Sequence, residues 1–210
     1  MIKAFLFDLD GVLVHTDQLH YKAWKQLADK LNIPFSTQQA DRCRGVSRME
    51  SLEIVLENCE QSFSKEQKLK MAEQKNADYQ KFLKALSPAD IPAEILYTLK
   101  ELKARGFKLA VASSSKNALL ILSQTKLLPL FDAVADGNDI TRSKPDPEVF
   151  LTAAKKLDVL PENCAAIDDA QSGIEAAKAA KMLAVGIENS AALKLGNHNI
   201  SSLSELLNLF

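Results

Sequence analysis

Short, almost continuously apolar segments alternate along this 210-residue chain with longer segments of helical periodicity. The first apolar segment, residues 2–9, reads IKAFLFDL and is followed by a polar stop at Asp10-Gly11. Further segments of this kind lie at residues 107–112, 133–135, 165–167 and 183–187. Strands that are apolar at successive positions are typical of a parallel sheet that helices cover on both faces. The alternation therefore predicts an α/β fold with a Rossmann-like, doubly wound parallel sheet.

A long helical region interrupts this alternation after the first strand. Apolar residues recur at every fourth position from Leu19 to Leu31, and residues 36–86 contain no convincing strand but read as three or four amphipathic helices. We therefore predict an all-helical cap domain at residues 15–86. The α/β core is then formed by residues 1–14 and 87–210.

Composition and charge exclude several classes of protein. With 26 Lys+Arg against 27 Asp+Glu the net charge is −1, whereas a nucleic-acid-binding domain usually has a strong basic excess. No apolar stretch approaches the ~18 residues that a membrane helix needs, and Asp8 and Asp10 interrupt the first apolar run too early for a signal peptide. The three cysteines show no metal-finger spacing, which indicates reduced thiols. We expect a cytoplasmic monomer that binds neither nucleic acid nor membranes.

Polar residues follow the predicted strands at the points where the strands end. In order along the chain they are Asp8 and Asp10, Ser113 to Ser115, Asp136, Asp139 and Lys144, and Asp168 and Asp169. In an open parallel sheet, ligands bind at the carboxyl ends of the strands. Carboxylates, a hydroxyl and a lysine at one edge of the sheet indicate a site for a divalent metal ion and a phosphate group.

The first of these motifs suggests a chemical mechanism. Asp8 and Asp10 are two residues apart on a predicted extended segment, so we expect both side chains on one face. Paired carboxylates suit a hard cation such as Mg²⁺, and Asp169 could supply a third oxygen ligand. One carboxylate could then attack a phosphoryl group while its neighbour transfers protons. Taken alone, the motif could equally be a turn, and Ser113 could simply cap a helix that begins near Lys116.

Taken together, the four motifs resemble those of the haloacid dehalogenase superfamily of phosphotransferases. The matching residues are Asp8-Leu9-Asp10-Gly11, Ser113, Lys144 and Asp168-Asp169. The resemblance implies that Mg²⁺ is bound by Asp8, the backbone carbonyl of Asp10, and Asp169, with Asp168 as a further candidate ligand. It implies Asp8 as the nucleophile and Asp10 as the general acid and base. Ser113 and Lys144 would hold the transferring phosphate.

Within this superfamily, the helical region resembles that of the β-phosphoglucomutase group. The residues that carry the likeness, all candidates for contact with substrate or phosphate, are His20, Trp24, Arg44, Gly45, Val46, Ser47, Arg48, Ser51, Lys75 and Asn76, with Ser113, Ser114, Ser115, Lys116 and Asn117 in the core. Four positions depart from the group's usual pattern. His15 replaces Asp, Arg44 replaces Lys, Ser114 replaces Ala, and Asp168 replaces Glu.

The resemblance implies a phosphomutase that interconverts β-glucose 1-phosphate and glucose 6-phosphate through an aspartyl phosphate and β-glucose 1,6-bisphosphate. Arg44 and Arg48 flank a glycine-containing loop and would hold the distal phosphate of the bisphosphate. A phosphatase for sugar phosphates with the same core is the first alternative. A catalytically silent relative that binds a phosphorylated metabolite is the second, and the complete set of core motifs argues against it.

Overall fold

The computed structural model describes residues 1–210. Six strands form one sheet in which every neighbouring pair is parallel. The strands are β1 (Ala4–Phe7), β2 (Lys108–Ala112), β3 (Ala133–Ala135), β4 (Cys164–Asp168), β5 (Leu183–Ile187) and β6 (His198–Ile200). Their spatial order, β3-β2-β1-β4-β5-β6, is that of a doubly wound Rossmann-like sheet, so the predicted fold class is confirmed.

Ten α-helices connect or cover the strands. They are α1 (Asp17–Lys30), α2 (Thr37–Arg42), α3 (Arg48–Leu56), α4 (Lys65–Leu83), α5 (Ala93–Ala104), α6 (Ala118–Gln124), α7 (Glu148–Leu157), α8 (Gln171–Ala179), α9 (Glu188–Ala192) and α10 (Leu206–Leu209). The first four lie between β1 and β2 in sequence, and no helix of the structure is both long enough and apolar enough to cross a membrane.

The core is divided between the two faces of the sheet because successive side chains of a strand point in opposite directions. On β1, Phe5 and Phe7 join a cluster of 26 buried residues that includes side chains of α5 and α6. Ala4 and Leu6 join a separate cluster of 18 residues that includes side chains of α7 and α8. Helices therefore cover both faces, which explains the continuous apolar sequence of β1.

The segment α1–α4, called here the helical insert, has a hydrophobic core of its own. Eight buried residues form this cluster: Trp24, Leu27, Ala28, Phe35, Leu52, Val55, Leu56 and Ala72. Helices α2, α3 and α4 begin with the same capping box, in which a serine pairs with Gln or Glu three residues later, at Ser36, Ser47 and Ser64. Placing the domain boundaries at residues 15 and 86 stays a prediction.

Two local features differ from the sequence-based interpretation. Strand β6 was missed, because His198–Ile200 is a three-residue edge strand with two exposed residues and so has no continuous apolar pattern. Helix α6 begins at Ala118 rather than near Lys116. The residues between β2 and α6 instead form a loop that lines the site described next.

Candidate active site

The topology brings two acidic strand ends together at the centre of the sheet. Strands β1 and β4 are neighbours, and the chain winds outward from them in opposite directions. Such a reversal point opens a crevice at the carboxyl ends of the strands. Asp8 directly follows β1, while Asp168 is the last residue of β4 and Asp169 comes next. The order of the strands therefore places these three carboxylates at one crevice.

The three carboxylates form a buried acidic cluster with one lysine. Ligand oxygens of Asp8, Asp168 and Asp169 all lie within 4.8 Å of one another. The Lys144 ammonium, which is 0% exposed, donates to Asp8 Oδ1 and, at 2.8 Å, to Asp168 Oδ2. Burial alone would lower the pKa of Lys144, but Asp168 and Asp8 raise it above its ordinary value, so this side chain stays charged.

The acidic cluster fits a divalent metal ion. Burial raises the pKa of Asp8 well above its ordinary range, and Lys144 only partly opposes this effect. Burial and the neighbouring Asp168 raise the pKa of Asp169 to about 7. Lys144, together with Arg44 at Asp169, provides two positive charges for three carboxylates, so the negative charge is not fully compensated. Carboxylate oxygens are the ligands that Mg²⁺ prefers. The side chain of Asp10 lies outside the cluster.

Gly11 allows the turn after β1 to approach this cluster closely. Its φ is +96°, a conformation that favours glycine. A Cβ at this position would lie 2.5 Å from Asp169 Oδ2. Any other residue at Gly11 of the Asp8-Leu9-Asp10-Gly11 motif would strain the backbone and crowd the Asp169 carboxylate.

Asp10 faces a different set of partners from Asp8, although both line the same cavity. Its Oδ1 accepts a hydrogen bond from the Thr16 hydroxyl and lies 3.9 Å from Nε2 of His20. Burial raises the pKa of Asp10, while the Thr16 hydrogen bond acts in the opposite direction. A raised pKa makes the carboxyl group easier to protonate, which favours a role as general acid and base.

The loop from Ser113 to Asn117 lies beside the acidic cluster. Ser113 is 1% exposed, and its Oγ accepts a hydrogen bond of 3.1 Å from the Ser115 backbone N–H. Ser115 Oγ accepts in turn from the Asn117 N–H at 3.2 Å. Ser114 Oγ is buried without a hydrogen-bond partner and its residue lines the cavity. These hydroxyl groups give the loop the donors that a phosphate needs.

Opposite this loop, the helical insert presents two cations, Lys75 and Arg48, that form no ion pair with a carboxylate. Lys75 is 4% exposed, its ammonium lies 2.9 Å from Nδ1 of His20, and it sits 4.4 Å from the Trp24 ring centre. Burial and the charge of Arg48 lower the pKa of Lys75 from 10.5 to about 7. Burial also lowers the pKa of Arg48, and burial together with Lys75 lowers that of His20. Glu73 attracts Arg48 but forms no ion pair with it, so an anionic ligand would relieve the repulsion between Lys75 and Arg48.

Replacing Lys75 with methionine is expected to stabilise the protein while removing this charge. Because the folded-state pKa of about 7 lies below the unfolded value, the cost of the buried charge is complete below pH 7 and fades as the pH rises toward 10. We expect Lys75→Met to raise the free energy of unfolding by on the order of 2 kcal/mol at pH 6, and by less at pH 9. Urea unfolding at both pH values measures this difference.

Lys70→Met is the matched control, because Lys70 lies on the same helix but is exposed and paired with Glu66. This variant is expected to show no such pH dependence. A Lys75→Met variant that is destabilised equally at pH 6 and pH 9 would show that the buried charge has no energetic cost.

Amide side chains connect the insert directly to the core. Asn117 Nδ2 donates to Asn76 Oδ1 at 2.9 Å, and Gln80 Nε2 donates to Asn117 Oδ1 at 2.9 Å. Asn76 and Gln80 lie on α4, whereas Asn117 precedes α6. Two of the predicted contact residues, Asn76 and Asn117, are therefore bonded to each other across the cavity.

Arg44 and Arg48 have different surroundings, although both were predicted to meet a distal phosphate. Arg44 donates to Asp17 Oδ2 at 2.8 Å and to Asp169 Oδ2 at 3.1 Å. Arg48 makes no ion pair within 4 Å and lies in the first turn of α3, where backbone N–H groups favour an anion. That both arginines bind the distal phosphate stays a prediction. Arg44 is already paired with carboxylates, whereas the charge of Arg48 is available to a phosphate group.

One cavity of about 620 Å³ joins the core site and the insert. The predicted residues that line it are Asp8, Asp10, His20, Trp24, Arg44, Gly45, Val46, Ser47, Arg48, Ser51, Lys75, Asn76, Ser113, Ser114, Ser115, Lys116 and Asn117. Three predicted residues lie behind the cavity wall at 0–2% exposure: Lys144, Asp168 and Asp169. Lys144 contacts Asp8 of the wall, and Asp169 contacts Arg44 of the wall. The Ser47 hydroxyl is occupied as the N-cap of α3, where it accepts from the Glu50 N–H at 3.2 Å.

Four residues of the site were missed by the sequence analysis. Thr16 binds Asp10, Asp17 binds Arg44, Gln80 binds Asn117, and the Tyr79 ring lies with its centre 4.0 Å from that of His20. Thr16 and Asp17 stand where a helix cap and a first-turn acid are expected, so their pattern indicates only the start of α1. Tyr79 and Gln80 look like ordinary core and surface residues of α4.

Comparison with known proteins identifies the class to which this fold and site belong. The family model of haloacid dehalogenase-like hydrolases matches residues 5–187, and the chain belongs to that family. The predicted membership of the haloacid dehalogenase superfamily is therefore confirmed.

Within this family, the chain is similar to several individual proteins. It is 43% identical to the β-phosphoglucomutase of Bacillus subtilis over 188 residues, which cover 89% of this chain and 83% of the relative. A crystal structure of β-phosphoglucomutase from Clostridium difficile matches with a TM-score of 0.92 and 41% identity, covering 98% of this chain and 93% of the other. The chain is also 33% identical to a phosphorylated carbohydrates phosphatase of Thermotoga maritima, over 85% of this chain and 82% of the relative. The expected likeness to the β-phosphoglucomutase group is thus confirmed.

Proposed function

We propose that this protein is a phosphomutase that interconverts β-D-glucose 1-phosphate and glucose 6-phosphate through an aspartyl phosphate and β-glucose 1,6-bisphosphate. The observation that carries the proposal is the contrast between the two sides of the cavity. The core side holds a nucleophilic carboxylate with Lys144 and a hydroxyl-rich loop, whereas the insert side holds Arg48 and Lys75, neither of which is paired with a carboxylate. A ligand with a phosphate at each end satisfies both sides at once.

The core side performs the transfer. A carboxylate oxygen of Asp8 forms a bond to phosphorus while the bond from phosphorus to the sugar oxygen breaks, which leaves an acyl phosphate on Asp8. Lys144 already contacts Asp8 and offsets the charge that collects on the transferring group, and Ser113 donates a hydrogen bond to it. Asp8, Asp168, Asp169 and the backbone carbonyl of Asp10 would hold Mg²⁺, which supplies further charge neutralisation when bound.

Asp10 moves the protons. Its carboxyl group, with a raised pKa, gives a proton to the sugar oxygen that leaves phosphorus. In the reverse half-reaction the carboxylate takes the proton from the sugar hydroxyl that attacks phospho-Asp8. His20, which lies 3.9 Å from Asp10 through Nε2 and 2.9 Å from Lys75 through Nδ1, links this proton carrier to the insert.

The helical insert, residues 15–86, acts as a cap domain in this proposal. An acyl phosphate must be sheltered from water until a sugar hydroxyl is in position. The bisphosphate formed first has to turn around so that its other phosphate reaches Asp8, and the cap must therefore bind either phosphate as the distal one. Arg48 and Lys75 supply that distal site. The substrate is thus a small sugar phosphate, and a cytoplasmic monomer is the form that the sequence predicts.

A sugar-phosphate phosphatase is the alternative function. The Thermotoga maritima relative supports it, because that protein is named a phosphorylated carbohydrates phosphatase. The same core would serve, but water would attack phospho-Asp8. The cations of the insert favour the mutase, since hydrolysis of a monophosphate needs no second phosphate site.

The test of the proposal is a reaction with β-glucose 1-phosphate, Mg²⁺ and a trace of β-glucose 1,6-bisphosphate, followed by ³¹P NMR. The mutase is supported if glucose 6-phosphate accumulates while inorganic phosphate stays at background. Release of inorganic phosphate in proportion to substrate consumed favours the phosphatase instead.

Replacing Arg48 with alanine separates the two reactions further. A charge-assisted contact with phosphate contributes ~1.5–3 kcal/mol, so we expect mutase kcat/KM to fall roughly ten- to a hundredfold. Hydrolysis of acetyl phosphate, which has no distal phosphate, should change little. The ratio of hydrolysis to isomerisation is therefore expected to rise, as measured by parallel assays.

Arg42→Ala is the control for this variant, because Arg42 also lies on the insert but pairs with Glu57 outside the cavity. An Arg48→Ala protein in which both reactions slow by the same factor would show that Arg48 does not select the bisphosphate.

A further inference from the structure

Arg44 brings a positive charge from the helical insert into contact with the acidic cluster. The residue lies in the loop between α2 and α3. Its guanidinium group donates to Asp17 Oδ2 at 2.8 Å and to Asp169 Oδ2 at 3.1 Å, and its Nε lies 3.4 Å from Asp41 Oδ1. Asp169 is 2% exposed, so solvent screens this contact weakly. Among these partners, only Asp169 belongs to the acidic cluster of the core.

The backbone next to Arg44 is packed closely on the core. Gly45 has a φ of +70°, and a Cβ at this position would lie 2.5 Å from Ser172 Oγ, in the first turn of α8. Ser172 Oγ also donates to the Arg44 carbonyl at 3.5 Å. The contact between Arg44 and Asp169 is therefore part of a larger interface between the insert and the core.

A guanidinium group and a metal ion compete for the same carboxylate. Asp169 Oδ2 can accept from Arg44 or bind a cation, and a divalent ion at the acidic cluster would repel the nearby guanidinium. Asp17 and Asp41 lie outside the cluster and can retain Arg44 when Asp169 is taken by the metal. Arg44 can therefore give up Asp169 to the metal and remain paired with carboxylates of the insert.

We propose that Arg44 is an internal counter-ion of Asp169 that opposes metal binding, and that metal binding in turn weakens the contact between insert and core. This inference rests on the metal site of the proposed function. The two effects are linked, because a group that lowers the affinity for a ligand is itself displaced by that ligand to the same extent in free energy. Arg44 acts here as a positioning residue, and Asp17 is the partner that keeps it at the interface.

The test is a titration of the protein with Mn²⁺, followed by electron paramagnetic resonance of the free ion. Arg44→Gln keeps a polar side chain of similar length but removes the charge. We expect this variant to bind Mn²⁺ at least about fivefold more tightly than the wild type, the lower end of typical coupling between sites. Arg42→Gln, which removes a charge two residues away that pairs with Glu57, should leave the affinity unchanged.

Amide hydrogen exchange provides a readout of the linked effect. In the wild type, the amides of residues 43–47 should exchange faster when Mg²⁺ is added, whereas in Arg44→Gln they should respond little. Equal Mn²⁺ affinity in wild type and Arg44→Gln, or weaker binding in the variant, would overturn this inference and leave the proposed function intact. Absence of Mn²⁺ binding in both proteins would contradict the metal site and with it the inference.

Discussion

Replacing Asp8 with asparagine is expected to abolish phosphoryl transfer altogether. Asp8 directly follows β1 at the central crevice, contacts Lys144, and is the one carboxylate that both belongs to the acidic cluster and lines the cavity. An amide cannot form the acyl phosphate, so neither isomerisation nor hydrolysis should remain above background. The measurement is turnover of β-glucose 1-phosphate together with incorporation of ³²P from labelled bisphosphate into the protein.

The Asp8→Asn variant is expected to fold normally. Burial raises the pKa of Asp8, which means that its charge is costly in the folded state, and the neutral amide removes that cost. Asp29→Asn is the control carboxylate, because Asp29 is exposed on α1 and pairs with Lys25. A folded Asp8→Asn protein with near-normal turnover would rule out the aspartyl-phosphate mechanism.

Replacing Asp10 with asparagine is expected to have the second largest effect. Loss of a general acid and base typically reduces the rate by about 10²–10⁴-fold. The amide can still accept the Thr16 hydrogen bond, so the position of the side chain should be kept while the proton transfer is lost. The loss should be full for transfer between sugar oxygens and much smaller for phosphorylation of Asp8 by acetyl phosphate, whose leaving group needs no proton.

Thr16→Val is the companion variant, because it removes the hydrogen bond to Asp10 but leaves the carboxyl group. We expect it to slow the reaction less than Asp10→Asn and to shift the pH profile, since the Thr16 hydrogen bond holds the pKa of Asp10 down. Equal losses of Asp10→Asn with sugar and acetyl phosphate would show that Asp10 builds the site rather than transfers protons.

The sheet was predictable because its central strands are buried on both faces. Strands such as β1 and β4 are buried at every residue, so their sequences are apolar throughout and stand out from the helices. The exposed edge strand β6 lacks that pattern and was missed. The helical insert was recognised because the periodicity of apolar residues within a helix is a local pattern.

The residues of the core site were also predictable from the sequence, because they follow the predicted strands. Strand ends of a parallel sheet must meet at one edge, so Asp8, Lys144 and Asp169 could be placed near one another from their positions in sequence. Contacts between the insert and the core could not be derived in this way. The pairing of Arg44 with Asp169, and that of Gln80 with Asn117, depends on how the insert and the core pack together, and no local pattern in the sequence indicates it.

The fate of the phosphoryl group in water enriched with ¹⁸O tests the central claim most directly. The wild-type enzyme is given β-glucose 1-phosphate, Mg²⁺ and a trace of β-glucose 1,6-bisphosphate carrying ³²P, and the products are separated and analysed by mass. A phosphomutase passes the phosphoryl group only between Asp8 and sugar oxygens. We therefore predict that ³²P appears in glucose 6-phosphate and that almost no ¹⁸O-labelled inorganic phosphate forms. Inorganic phosphate that carries ¹⁸O and forms as fast as β-glucose 1-phosphate is consumed would contradict this account.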